Sequence, residues 1–113
     1  MALEQARIHV AEGQPADALL ALRAHSDLES LRYRTLLHEM TDAPGAALYH
    51  LLWAERVARE RLRLTPACFD ADFDGHVHRL ASRLTPGQAE QIRQQVDSLD
   101  IQRNKPMRPI GFT

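Results

Sequence analysis

The sequence predicts an all-α domain of six helices, paired as three antiparallel hairpins around one long central helix and followed by an extended tail. Three observations carry this. Apolar residues recur at steps of three and four along most of the chain, most clearly over residues 44–64, PGAALYHLLWAERVARERLRL. The breaks between periodic stretches are short, and each holds a glycine, a proline or a capping residue. Aromatics are only 5% of a chain that is 44% hydrophobic, so the core must be built mainly of Leu, Ala, Ile and Val. That composition suits close-packed helices better than a sheet.

Each element has its own signal. Residues 2–12 read as a first helix, with Leu3, Ala6, Ile8 and Val10 apolar and Gly13 as the stop. Pro15 suits a first helical position, and Ala18, Leu19 and Leu22 mark the inner face of a second helix reaching about His25. So short a connection makes the two antiparallel neighbours. Ser26 followed by Glu29 forms a capping box for a third helix, on which Leu28, Leu31, Tyr33, Leu36, Leu37 and Met40 are apolar. Asp42 is the expected cap of the central helix. There Ala47, Leu51, Ala54, Ala58 and Leu62 share one face, and Tyr49, Trp53 and Val57 form a second stripe beside it. Thr65-Pro66 ends that helix, because the residue before proline is pushed out of the helical region. Residues 68–75 read as an acidic loop. Val77, Leu80, Ala81 and Leu84 then mark a fifth helix over residues 76–84. Thr85-Pro86-Gly87-Gln88 is a second capping box, opening a sixth helix with Ala89, Ile92, Val96 and Leu99 as its stripe.

The domain is expected to span residues 1–102 and the tail residues 103–113. At 113 residues the chain can bury a core without staples, and its single cysteine excludes an internal disulfide. A formal net charge of −1 argues against nucleic-acid binding, which needs a basic face. No signal pattern and no apolar run long enough to span a bilayer occur in the sequence, so the expectation is a cytoplasmic protein with no membrane partner.

The segment ARIHVAEGQPADALLALRA resembles the middle of a tetratricopeptide repeat, through Ala6, Gly13, Ala18 and Leu22. A second copy runs through Thr35, Asp42, Ala47 and Leu51, so the resemblance covers about the first 64 residues. The copies lie 29 residues apart by Ala18 and Ala47, against about 34 for the family. Asp42 stands where the family has glycine, and the family's proline at the repeat end is missing. The resemblance implies stacked helical hairpins that bind other proteins. The last third, RLASRLTPGQAEQIRQQVDSLDIQRN, is similar to the end of the helical collar domain of bacterial clamp-loader subunits. With no ATPase module or phosphate loop in the chain, that likeness implies a shared packing mode and not clamp loading.

Among groups that might carry chemistry, Asp70-Ala71-Asp72-Phe73-Asp74-Gly75 resembles the start of a calcium-binding EF-hand loop. The twelfth position, which should be a bidentate acid, is Ala81, so any divalent cation would be held weakly. His76 and His78 with Asp72 or Asp74 offer a zinc-like alternative, and the competing expectation is that Asp72 or Asp74 caps the fifth helix. His38-Glu39-Met40-Thr41-Asp42 has Asp42 where a zinc peptidase needs its second histidine, so surface charge is the better reading. His78 lacks the Lys-Gly pair of a phosphotransfer histidine, and Cys68 reads as a small, partly buried thiol. The alternation of charge over Glu55, Arg56, Arg59, Glu60, Arg61 and Arg63 reads as a solvated helix face. In the tail, Met107, Ile110 and Phe112 interleave with Arg103, Lys105 and Arg108, as in a segment that covers a groove or docks on a partner.

The function this predicts is a small adaptor or chaperone-like module, without catalysis and without a resident cofactor. Its partner is another protein, met through a groove between hairpins or through the tail. Self-association into a homo-oligomer stays open. Two rivals stand beside it: a metal-binding enzyme or sensor centred on residues 70–78, and a subunit of a larger replication or secretion assembly.

Overall fold

A computed structural model describes residues 2–99, and among these there are six α-helices and no strand. They are α1 (Ala2–Ala11), α2 (Pro15–Leu22), α3 (Leu28–Met40), α4 (Pro44–Arg61), α5 (Phe73–Ala81) and α6 (Pro86–Asp97), with one 3-10 turn at Pro66–Cys68. The first four stack as two hairpins, α1 on α2 and α3 on α4, with α2 packed on α3. Both α5 and α6 lie on α4, which is the central element as expected.

The two hairpin turns use one device. At Gly13 (φ 76°) the amide donates to the Val10 carbonyl at 2.9 Å, and the Gln14 amide donates to His9 at 2.7 Å. This is the paired closure that a left-handed residue permits after a helix. Asp42 (φ 58°) repeats it after α3: its amide donates to Glu39 at 3.1 Å and the Ala43 amide donates to His38 at 2.8 Å. Asp42 therefore closes α3 and does not cap α4, whose N-cap is Ala43. Short polar side chains tolerate the left-handed region far better than branched ones. Replacing Asp42 with valine is accordingly expected to lower stability by about 1–2 kcal/mol, while glycine changes it little. Equal losses in urea unfolding of both variants would instead trace the effect to the exposed Asp42–Arg83 ion pair.

Other ends also differ from the sequence reading. The cap of α3 is Asp27, not Ser26: its carboxylate accepts from the Ser30 amide at 3.1 Å and the Ser30 hydroxyl at 2.9 Å. Partial burial works to raise the Asp27 pKa, but the bonds from Ser30 win and hold it below the usual value. Helix α4 stops at Arg61 rather than 64, because Arg63 turns left-handed and the Leu64 amide reaches back to the Ala58 carbonyl. Helix α5 starts at Phe73, so the end of the expected acidic loop is already helical. The Thr85–Gln88 capping box forms as read.

Three apolar clusters hold the helices. Ala6, Ala18, Leu22 and Leu37 join α1, α2 and α3. Leu31, Ala54 and Val57 join α3 to α4, with Phe69 packed beside them. Ala47, Leu48, Leu51, Val77 and Leu80 join α4 to α5, covered by Ala89 and Ile92 of α6. The alanines matter because they let helix axes approach closely; Ala6, Ala18, Ala47, Ala54 and Ala58 are all fully buried. No helix among the described residues is long and apolar enough to cross a membrane.

Candidate functional site: a groove along α3

Helix α3 is apolar on two sides. Leu31 and Leu37 face the core, but Leu36 is 47% exposed and Met40 53%. The face bearing Leu36 is the floor of a groove of about 400 Å³. Glu29, Arg32, Tyr33, Leu36 and Glu39 recur along it at helical spacing. One wall is Leu3 and Arg7 of α1; the other is Phe69, Asp70 and His76, from the 3-10 turn through α5. The groove exists because α1 and α5 pack on α2 and α4 respectively, one to each side of α3, leaving this face of α3 between them.

Two arginines stand on aromatic rings here. Arg7 lies 6.0 Å from the Tyr33 ring centre and Arg32 lies 5.9 Å from that of Phe69. Both side chains belong to exposed residues, and neither has a carboxylate partner among the described residues. Stacking holds a guanidinium in place while leaving its donors open to an acceptor on a ligand.

At the other end of the groove His76 is clamped between two acids. Its Nδ1 lies 2.6 Å from Asp70 and its Nε2 lies 2.6 Å from Glu39. Carboxylates only accept, so both nitrogens must donate and the ring is an imidazolium. Burial works against that charge, but the bonds to Asp70 and Glu39 outweigh it and the pKa is raised. An imidazolium with both N–H groups engaged has no lone pair for general-base work or for a metal. Its role in this arrangement is to tie the start of α5 to α3.

A second ring cluster lies on the α3–α4 seam. The ring of His50 is 4.7 Å from that of His38, 5.3 Å from Tyr49 and 5.8 Å from Trp53, while Arg34 caps Trp53 at 5.4 Å. His50 is 8% exposed and bonds the Ala46 carbonyl through Nδ1 at 2.8 Å. Burial drives its pKa down to about 4, the Ala46 bond opposing this and the charge of Arg34 adding to it. It is a neutral interior side chain.

The residues singled out from sequence for metal binding are dispersed. Asp70 and His76 meet; Asp72 turns to Arg79 at 3.2 Å; Asp74 lies in the first turn of α5 and His78 is exposed. Gly75 lies within α5 and does not make the sharp turn of a calcium loop. Asp72 is the N-cap residue of α5 by position, with no side-chain capping bond. Among the described residues no group of three or more His, Cys, Asp or Glu side chains is disposed to hold a metal ion. Cys68 is exposed, not partly buried, on the turn beside Phe69. The candidate docking residues Arg103, Lys105, Met107, Arg108, Ile110 and Phe112 lie outside the described residues.

Sequence reasoning expected a groove between hairpins but did not place one on α3, and it missed the roles of Glu39, Arg7, Arg32 and Phe69. The available signal was the doubled apolar face of α3, which carries more leucine than one core contact needs. No family model matches the chain, and no curated protein or solved structure matches it.

Proposed function

We propose that this chain is a small cytoplasmic adaptor of the helical-repeat kind, which seats an extended segment of a partner protein in the groove along α3. The observation that carries the reading is the groove's composition: solvent-exposed Leu36 beside Tyr33 and Phe69, flanked by two arginines that have no acid partner among the described residues. Apolar surface rimmed by unpaired polar groups marks a protein contact. The equivalence of the two turns at Gly13 and Asp42, and of buried Ala18 and Ala47 after them, supports a repeat-like construction. In such stacks the groove between units is the contact surface. Both ring nitrogens of His76 are engaged by Asp70 and Glu39, which favours binding over catalysis.

The test is affinity capture from native cells with the full chain and with its Leu36→Lys variant. Leu36 is half exposed and lysine is a good helix former, so the fold should survive. Stoichiometric capture of a protein by the parent chain, lost in the variant, is the expected result. Capture that the variant keeps would place the contact elsewhere and overturn the groove as the site.

A further inference from the structure

We infer that the outer face of α2 is a contact between two copies of this chain, paired antiparallel about a two-fold axis at Leu20. The inference goes beyond the adaptor reading, since this face and the α3 groove share no lining residue.

The first observation is an apolar face without a neighbour. Helix α2 packs on α1 and α3 through buried Ala18 and Leu22. Its other side carries Leu20, 56% exposed, with exposed Ala16 and Ala24 about one turn before and after it. Alanines at those places let a second helix approach closely, as the buried alanines do inside the fold. Hollows of about 480 and 450 Å³ flank this ridge, one toward α1 and one toward α3, and Leu20 and Arg23 border both. They give room for the copy's side chains beside the helix contact itself.

The second observation is charge, and it names the occupant. Asp17 and Arg23 stand three residues before and three after Leu20, and both are exposed. Neither side chain has a hydrogen bond or ion pair among the described residues. At about 100° per residue, both lie about 60° from the direction of Leu20, one to each side. An axis at Leu20 sets each residue level with the one equally far on the other side of Leu20 in the copy. Leucine then meets leucine, Ala16 meets Ala24, and Asp17 meets Arg23 twice over. The antiparallel arrangement also opposes the two helix dipoles. The face is therefore complementary to itself, which is the requirement for a two-fold contact. Neighbouring charges leave the pairing intact. Arg34 donates to the His25 carbonyl at 2.9 Å and lies on the Trp53 ring, His9 lies 3.9 Å from Glu12, and burial lowers the pKa of His38.

Eight helical residues reach only about 12 Å, and a contact of that size covers less than the roughly 800 Å² per partner of a standard interface. The pairing is accordingly reversible. Sedimentation velocity of the full chain in low salt, from dilute solution up to the solubility limit, tests it. The expected result is a dimer that forms with concentration and weakens with salt. Asp17→Arg and Arg23→Asp each set like charges opposite one another at both symmetric contacts, and each should weaken association at least about tenfold. Mixed in equal amounts, the two variants regain opposite charges at both contacts and should form a heterodimer. Leu20→Ser should weaken the parent pair as well. All three positions are exposed, so the fold should survive, and circular dichroism checks that it does. A parent chain that stays monomeric throughout would overturn the inference. So would a dimer that any of the three substitutions leaves unchanged, or two charge variants that stay apart when mixed. None of these variants alters the groove, so partner capture that is lost in Leu36→Lys would stand whichever way the dimer test falls.

Discussion

Replacing Arg56 with alanine is expected to destabilise the fold by about 2 kcal/mol, the scale of a hydrogen-bond set made by a charged group. One guanidinium nitrogen donates to the carbonyls of Val96 at 2.6 Å, Asp97 at 3.1 Å and Leu99 at 2.9 Å. The Val96 and Asp97 carbonyls belong to the last turn of α6 and Leu99 lies just beyond it; Val96 also accepts from the Leu99 amide at 3.1 Å, and the helix dipole favours a cation here. Glu60, one turn on, fixes the arginine from behind through both Nε and a terminal nitrogen, each at 2.9 Å. Helix α6 buries only Val96 fully, so this polar clamp does much of the work of seating it on α4. The loss should therefore be local before it is global. Hydrogen exchange in Arg56→Ala should speed up along α6 while the amides of α1–α3 keep their protection. Lysine at the same site should fall between, since an ammonium lacks the planar fork that serves adjacent acceptors. Unchanged exchange in α6, with a stability change under about 0.5 kcal/mol, would mean that water replaces the guanidinium at no cost.

Much of this fold was legible in the sequence for a simple reason. Helix existence depends on near-neighbour periodicity, and residues 44–61 display it without ambiguity; Ala47, Leu51, Ala54 and Ala58 are all buried as their spacing requires. Ends were less legible, because two adjacent residues compete to cap. Asp27 displaced Ser26, and Asp42 took a left-handed closing position that its type allows as readily as a cap. The site was hardly legible at all. Arg56 sits in a run of alternating charge that looks solvated, and beside its neighbour Glu60 it has three carbonyl partners forty and more residues away. His76 was noticed for its neighbours in sequence, but the contact that gives it a second acid is Glu39 on another helix. His50 interrupts an apolar run, so nothing local marked it as interior. Leu36 and Met40 keep the helical period yet lie exposed, because periodicity does not say which of two apolar faces finds a neighbour.

Two histidines should give this protein a stability maximum near pH 6.5, with opposite causes on its two sides. His50 is neutral in the folded state, with a pKa pushed down to about 4, while the unfolded chain takes up the proton near the ordinary 6.5. Its contribution is whole above that value. It is lost as pH falls from 6.5 toward 4, by about 3 kcal/mol when the shift is taken at its full size. His38, its ring neighbour, is also lowered, by burial first and by the charge of Arg34 second, and adds to the same limb. His76 works the other way. Its raised pKa makes the clamp between Asp70 and Glu39 complete below 6.5 and loses it as pH climbs through the folded value. Urea unfolding across pH 4.5–9 separates the two. Phenylalanine at position 50 keeps a ring against His38 and Trp53, and the Ala46 carbonyl retains its backbone partner in α4, so His50→Phe should make the acid limb shallower, leaving the share of His38, and should leave the alkaline one. His76→Gln should flatten the alkaline limb and leave the acid one. An acid limb equally steep in His50→Phe would move the cause to His38 and the carboxylates. An alkaline limb that survives His76→Gln would mean that the clamp between α3 and α5 contributes nothing to the fold.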